Sequence, residues 1–211
     1  TKQSTWPDMA TLPMNNFVDV SNGETGLAFL SDCLTEYELL EDDKQTVALS
    51  LLRAVKTWIV TGHVGSDFPS QKGGNCLGHH SIKYSIRPHQ GNWKSANIPL
   101  EAEKVNVPVI PVQTNATKGS LPVDSMEMLK IKNANIRFST LKKAETSDNI
   151  VLRLYNPLSA EQTTTVRFYQ QIKRAWLVQL NEKRLLEIKP AGREVTINLP
   201  GCKIVSVELE F

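Results

Sequence analysis

Val195-Thr-Ile197-Asn-Leu199-Pro-Gly201-Cys-Lys-Ile-Val205-Ser-Val207-Glu-Leu209-Glu-Phe211 carries the pattern that decides the fold. Apolar side chains hold every second position on both sides of Pro200-Gly201. Successive side chains of an extended strand point to opposite faces, so each half reads as a half-buried strand and the Pro-Gly pair as the turn between them. The same period runs upstream. Ile150, Leu152 and Leu154 alternate with Val151, Arg153 and Tyr155, and Val166 and Phe168 alternate with Thr165, Arg167 and Tyr169. Trp176 shares a parity with Val178 and Leu180, which predicts a core tryptophan. Nearer the start, Val47, Leu49 and Leu51 repeat the alternation. Asn156-Pro157, Asn181-Glu-Lys183, Pro190-Ala-Gly192 and Pro200-Gly201 supply turn chemistry between the runs. Many short strands at this spacing predict an all-β protein built of antiparallel β-sandwich units.

Helical signal is confined to Asn92–Val105, where Trp93, Ala96, Leu100 and Ala102 form one weak apolar side. Pro99 predicts one or two short turns there rather than a long helix, with Trp93 as their anchor. The acidic run Glu41-Asp-Asp43 reads as a solvated hairpin turn. Val107–Pro122 carries three prolines, Pro108, Pro111 and Pro122, and a small, polar middle, the composition of a connector between packed units. It divides the chain into residues 1–117 and 118–211, and the second part holds about eight predicted strands, enough for a small immunoglobulin-like sandwich. In the first part, the Gly-rich and polar stretch Thr61–Asn75 is longer than ordinary connections and reads as a candidate functional loop.

Composition narrows the function classes. The 211 residues carry a formal net charge of +2 with acids and bases interspersed. No basic stripe points to nucleic acid, and no apolar run is long enough for a membrane-spanning helix. Thr1-Lys-Gln-Ser-Thr-Trp-Pro shows no secretory-signal pattern, and without a leading Met it reads as a cut end. Cys33, Cys76 and Cys202 are an odd set at wide spacing, which predicts free thiols in a reducing, cytoplasmic compartment. Asn115-Ala-Thr117 matches a glycosylation sequon, a tripeptide that arises easily by chance.

The residues that could carry chemistry are few. Arg53 has the parity of Val47, Leu49 and Leu51, so continued alternation points it toward the apolar face, where a charge must be paired or emerge at an edge. One reading is a strand-end arginine that fans out to solvent or pairs with an acid such as Asp32. The other is an arginine projecting past the sheet rim into a cleft, where its fork of donors holds sugar hydroxyls or a carboxylate. His63, His79, His80 and His89, with Cys76, invite a metal reading. Neighbours such as His79 and His80 on a strand point to opposite faces, His89 reads as a turn residue at a strand end, and the set lacks the paired spacing of a zinc site. Asp32, Glu36, Glu38, Asp42, Asp43 and Asp67 are available as carboxylates, but no spacing singles out the close pair a retaining glycosidase needs. There is no Gly-x-Ser-x-Gly elbow and no P-loop or dinucleotide fingerprint. Trp6 and Trp58 are open to packing or to ligand contact.

Two blocks carry a family resemblance: Phe17-Val-Asp-Val-Ser through Gly26-Leu-Ala-Phe-Leu-Ser-Asp32, Glu36-Tyr-Glu38 and Leu49-Ser-Leu-Leu-Arg53-Ala-Val55, then Cys76-Leu-Gly-His-His-Ser-Ile-Lys-Tyr-Ser-Ile-Arg-Pro-His-Gln-Gly91. Together they resemble the carboxy-terminal β-rich region of the family 38 glycoside hydrolases, the retaining α-mannosidases. The stretch Asn149–Pro157 adds weaker support, and Leu27–Asp32 with Ser81–His89 reads like the bacterial, mannosylglycerate-hydrolase-like branch. The resemblance implies that residues 1–117 are the last part of a large β-sandwich and that 118–211 form the small sandwich after it. It also implies a parent enzyme that hydrolyses α-mannosides through an aspartate nucleophile, an acid/base carboxylate and a zinc ion in an amino-terminal catalytic domain. No His-x-Asp zinc motif and no nucleophile motif matches here, so no catalytic or metal residue carries over and this chain alone is expected to be inactive. In the family a β-hairpin of this region reaches the catalytic domain and supplies an arginine near the sugar, and Leu51-Leu52-Arg53 is the match. Arg53 is therefore the one substrate-binding candidate. The expected partners are an α-mannoside and the catalytic domain of the same polypeptide, with room for a homo-oligomer. A stand-alone carbohydrate-binding module is the alternative.

Overall fold

In the computed structural model of the chain, residues 11–54, 57–60, 63–67, 72–115, 118–119, 122 and 124–211 are described. They form antiparallel sheets and one α-helix, arranged as two compact units that part between Val109 and Ile110, within the proline-rich connector. Around that point Val109 and Ile110 are 91% and 80% exposed, as befits a segment with no partner strand.

The first unit contains β1 (Thr11–Pro13), β2 (Phe17–Ser21), β3 (Thr25–Leu30), β4 (Glu36–Leu39), β5 (Val47–Leu49), β6 (Thr57–Val60), β7 (His63–Asp67), β8 (Ser85–Gln90) and α1 (Ile98–Asn106). Its sheets run β1-β4-β5, β2-β3-β8 and β6-β7. The turn between β4 and β5 is organised by its own acid. Asp42 accepts hydrogen bonds from the Thr46 amide (2.9 Å) and hydroxyl (2.6 Å), and those bonds hold its carboxyl below the usual range. The candidate loop Thr61–Asn75 is only partly irregular: β7 pairs antiparallel with β6 to make a hairpin, and a 3₁₀ turn spans Lys72–Asn75. Residues 61–62 and 68–71 lie outside the described set.

Helix α1 is longer than Pro99 predicts, nine residues in all. Pro99 sits in the first turn, where a helix has no use for the missing N–H, so it starts the helix rather than breaking it. Ile98 and Ala102 pack on Ala28 and Leu30 of β3, with Phe17, Trp93 and Ala96 around them. The Phe17 and Trp93 ring centroids are 6.1 Å apart, so Trp93 anchors the segment as its sequence context predicts.

The second unit is a sandwich of β9 (Leu129–Ile131), β10 (Arg137–Lys143), β11 (Ile150–Tyr155), β12 (Gln162–Phe168), β13 (Arg174–Val178), β14 (Arg184–Ile188), β15 (Glu194–Leu199) and β16 (Ile204–Glu210). A five-stranded sheet, β10-β11-β16-β13-β14, faces a three-stranded one, β15-β12-β9. Leu152, Leu154, Val207 and Leu209 from the first meet Val166, Phe168, Ile197 and Leu199 from the second in one buried cluster. These are the positions picked out by alternation. Asn156, almost wholly buried, fastens the end of β11 to the β15–β16 turn. Its amide donates to the carbonyls of Ala160 (2.8 Å) and Leu199 (3.1 Å), and its carbonyl accepts from the Leu158 amide (3.0 Å).

Trp176 departs from its expected place. It is buried but stands on the face of the five-stranded sheet opposite the core, because Ala175 and Leu177 take the inward positions. The guanidinium carbons of Arg184 and Arg174 lie 3.7 and 4.7 Å from its ring centroid. Leu180, of the same parity, falls beyond the end of β13 and is exposed. Beside Trp176, Glu208 accepts from Arg184 Nε (2.8 Å) and Nη2 (2.7 Å), from Asn149 Nδ2 (2.7 Å) and from Ser147 Oγ (3.2 Å). The Arg184 fork is the main reason its carboxyl drops to about 2.

Candidate functional site

The alternation that would carry Arg53 to the apolar face ends early. The ladder of β5 stops at Leu49, followed by one further backbone bond from Ser50 N to Glu36 O (3.0 Å). Leu51, Leu52 and Arg53 continue as irregular chain, so strand parity does not set the direction of Arg53. Its side chain is 76% exposed and its Nη1 lies 3.8 Å from Oε1 of Glu36; the nearby acid is Glu36 rather than Asp32. The Thr11 and Ser50 hydroxyls, then Arg53, hold the Glu36 carboxyl below the usual glutamate range.

These groups edge an open depression of about 440 Å³, with Thr11, Pro13, Cys33 and Thr35 on one side and Ser50 to Arg53 on the other. Glu36 is the one carboxylate among its lining residues, and no aromatic ring is among them. The backbone of Arg53 is tied down separately: the Cys76 thiol donates to the Arg53 carbonyl at 3.6 Å. Cys76 therefore serves the arginine segment and does not gather histidines. His80 Nε2 lies 2.6 Å from the Cys76 carbonyl, and His79 is exposed; both sit in irregular chain rather than on a strand. Among the described residues no three of His, Cys, Asp and Glu converge as metal ligands.

His89 is not a turn residue. It belongs to β8, its side chain is 4% exposed, and its Nε2 lies 2.5 Å from Oδ2 of Asp19, which is equally buried. Asp19 is on β2 and His89 on β8, so the contact crosses the whole width of β3. That is feasible because β3 places the small residues Gly26 and Ala28 between them on this face. A Cβ on Gly26 would stand 2.3 Å from His89 Cε1. The couple sits on the sheet face that α1 covers, and Arg87 reaches Glu101 of the helix at 3.9 Å. A glycine inside a strand, which marks a close approach, was the available sequence signal for this pair. Trp6 lies outside the described residues, as does the side chain of Trp58.

Comparison with known proteins finds similarity across both units, with a family model matching in the second. Residues 135–207 match the Glycosyl hydrolases family 38 C-terminal beta sandwich domain. A "Putative mannosylglycerate hydrolase" of Halalkalibacterium halodurans is 25% identical over 189 residues, which is 84% of this chain and 20% of that protein. Alpha-mannosidase G of Dictyostelium discoideum is 28% identical over 158 residues, 75% of this chain and 13% of its own length. The chain thus spans a fifth or less of these relatives. The crystal structure of an alpha-mannosidase from Enterococcus faecalis V583 shares the fold across 98% of this chain and 22% of its own, with a TM-score of 0.79 at 21% identity. Among the described residues no helix is long and apolar enough to cross a membrane.

Proposed function

We propose, from the premise that this chain belongs to the C-terminal β-sandwich region of the family 38 glycosyl hydrolases, that it is a non-catalytic part of an α-mannosidase. In this reading it braces a catalytic domain on the same polypeptide and lends Arg53 to the edge of that domain's sugar pocket. The observation that carries the reading is the rim of the Arg53 depression. Leu51 and Leu52 stand 53% and 52% exposed beside a loosely held cation–carboxylate pair. Neighbouring apolar side chains around a polar hollow suit a surface that another domain covers. At 3.8 Å from Glu36, the Arg53 fork is free to turn to paired hydroxyls or a carboxylate without losing a tight bond.

The nucleophile, the acid/base carboxylate and the zinc ion of a retaining α-mannosidase belong to the catalytic domain in this proposal, and no step passes through a metal on this chain. What the chain supplies is orientation and exclusion of water at one side of the pocket. The absence of an aromatic platform in the depression disfavours a free-standing sugar-binding module. Three free thiols suit a cytoplasmic enzyme.

The test is hydrolysis of an aryl α-mannoside by the chain alone and by the longer polypeptide. The chain alone should be inactive, and hydrolysis by it would overturn the bracing role. In the longer enzyme Arg53→Ala should lower kcat/KM by at least about tenfold, the loss of one charge-assisted contact in the transition state. An unchanged kcat/KM in a folded variant would remove Arg53 from the site.

A further inference from the structure

A second cavity, of about 290 Å³, opens on the outer side of the three-stranded sheet of the carboxy-terminal unit, where Lys130, Arg167, Arg193 and Tyr169 meet Glu127. On a strand pair, like charges directly opposite each other are destabilising, and here Lys130 of β9 is in register with Arg167 of β12. The acid opposite Arg167 on its other side, Glu194, is engaged by Lys132 at 2.9 Å. Glu127 lies 3.5 Å from Lys130. Among the described residues that leaves Arg167 and Arg193 with no carboxylate in ion-pair range. The backbone places both: Arg167 lies in the β12 ladder between Glu194 and Lys130, and the next residue, Phe168, donates its amide to the Arg193 carbonyl (2.8 Å).

We propose that this cavity is an oxyanion-binding site, in which Arg167 and Arg193, supported by Lys130, take a phosphate or carboxylate group of a small ligand. Two guanidinium forks with vacant donors match the paired oxygens of either group, and the like-charge repulsion between Lys130 and Arg167 is relieved when the anion enters. Tyr169, 41% exposed, adds a hydroxyl and a ring edge for the rest of the ligand. The site is remote in sequence from Arg53 and does not depend on the α-mannosidase reading.

Calorimetric titration of the chain at low ionic strength, with inorganic phosphate, glycerate and mannose as separate probes, tests this. Saturable binding of phosphate or glycerate, and not of mannose, is expected, and the tighter of the two names the oxyanion. Arg167→Gln and Arg193→Gln should each weaken that binding by at least about tenfold, while Lys203→Gln, on a distant turn, should leave it unchanged. Should a variant fold poorly, amide and arginine side-chain NMR shifts of the wild-type chain during the phosphate titration decide instead: they should centre on Arg167, Phe168 and Arg193. No saturable binding by either anion, binding indifferent to both arginines, or shifts centred elsewhere would each overturn the site.

Discussion

Leu152 and Leu154 in the carboxy-terminal unit and Leu49 and Leu51 in the amino-terminal one occupy the same kind of alternating pattern. Yet the first pair is at most 1% exposed, while Leu51 is 53% exposed. The difference lies in what flanks them. Strand β11 has β10 on one edge and β16 on the other, with a second sheet across the core. Strand β5 has only β4 among the described residues, and its ladder ends two residues before Leu51. Alternation states which face a side chain would take; it does not state that a sheet exists to cover that face.

The sharpest way to break this contrast is to remove a side chain from the complete core. Leu152→Ala should cost about 4 kcal/mol, the transfer term plus an unrelaxed cavity. Urea unfolding followed by hydrogen exchange should show the loss across β11, β12 and β16. Leu51→Ala should leave the urea midpoint where it is. Equal costs at the two positions would mean that Leu51 is covered in solution, and the contrast would fail.

Burial in the amino-terminal unit rests on smaller clusters and on the His89–Asp19 couple. Asp19→Ala leaves the imidazole, 4% exposed, without its partner. A loss of about 3 kcal/mol is expected, as for other broken buried pairs, with exchange rising first in β8 and α1. Gly26→Ala should move in the same direction, because its Cβ displaces the His89 ring. If Asp19→Ala is neutral, the couple is not what ties β2 to β8.

The Glu208 network on the outer face of the large sheet gives a smaller, pH-dependent effect. Its folded carboxyl lies near 2, well below the usual value, with Arg184 as the main cause. A depressed carboxylate contributes its stability above the unfolded value of about 4.3 and loses it as pH falls through about 2. With the Arg184 side chain 46% exposed, screening reduces the contribution to on the order of 2 kcal/mol. Glu208→Gln should therefore be less stable than wild type at pH 7, and the gap should close between about pH 4.3 and about pH 2. A gap that stays constant over that range would assign the loss to packing against Trp176.

Much of the carboxy-terminal sandwich was readable because its strands alternate cleanly and several end at turns with their own signal, although only β10–β11 and β13–β14 pair as sequence neighbours. Asn156-Pro157 and Pro200-Gly201 are such turns, and Asn156 joins the two by hydrogen bonds. Trp176 shows the limit. Its parity is right for burial, but alternation alone cannot say which face of a sheet is the core when Arg184 and Glu208 can seal the other. The His89–Asp19 couple was hidden for a different reason. Its partners are 70 residues apart and meet across β3 through the smallness of Gly26 and Ala28, a contact that no local period encodes.

Arg53 gives the smallest expected effect on stability, and for that reason the cleanest reading of function. Its ion pair with Glu36 is long and exposed at the arginine end, a geometry that contributes little in water. Arg53→Ala should therefore leave the urea midpoint and the exchange pattern of the chain unchanged within error. If so, any fall in kcat/KM in the longer enzyme belongs to substrate contact and not to misfolding. A clear drop in stability would instead make Arg53 a structural anchor, working with Glu36 and the Cys76 thiol to hold the end of β5 against β4.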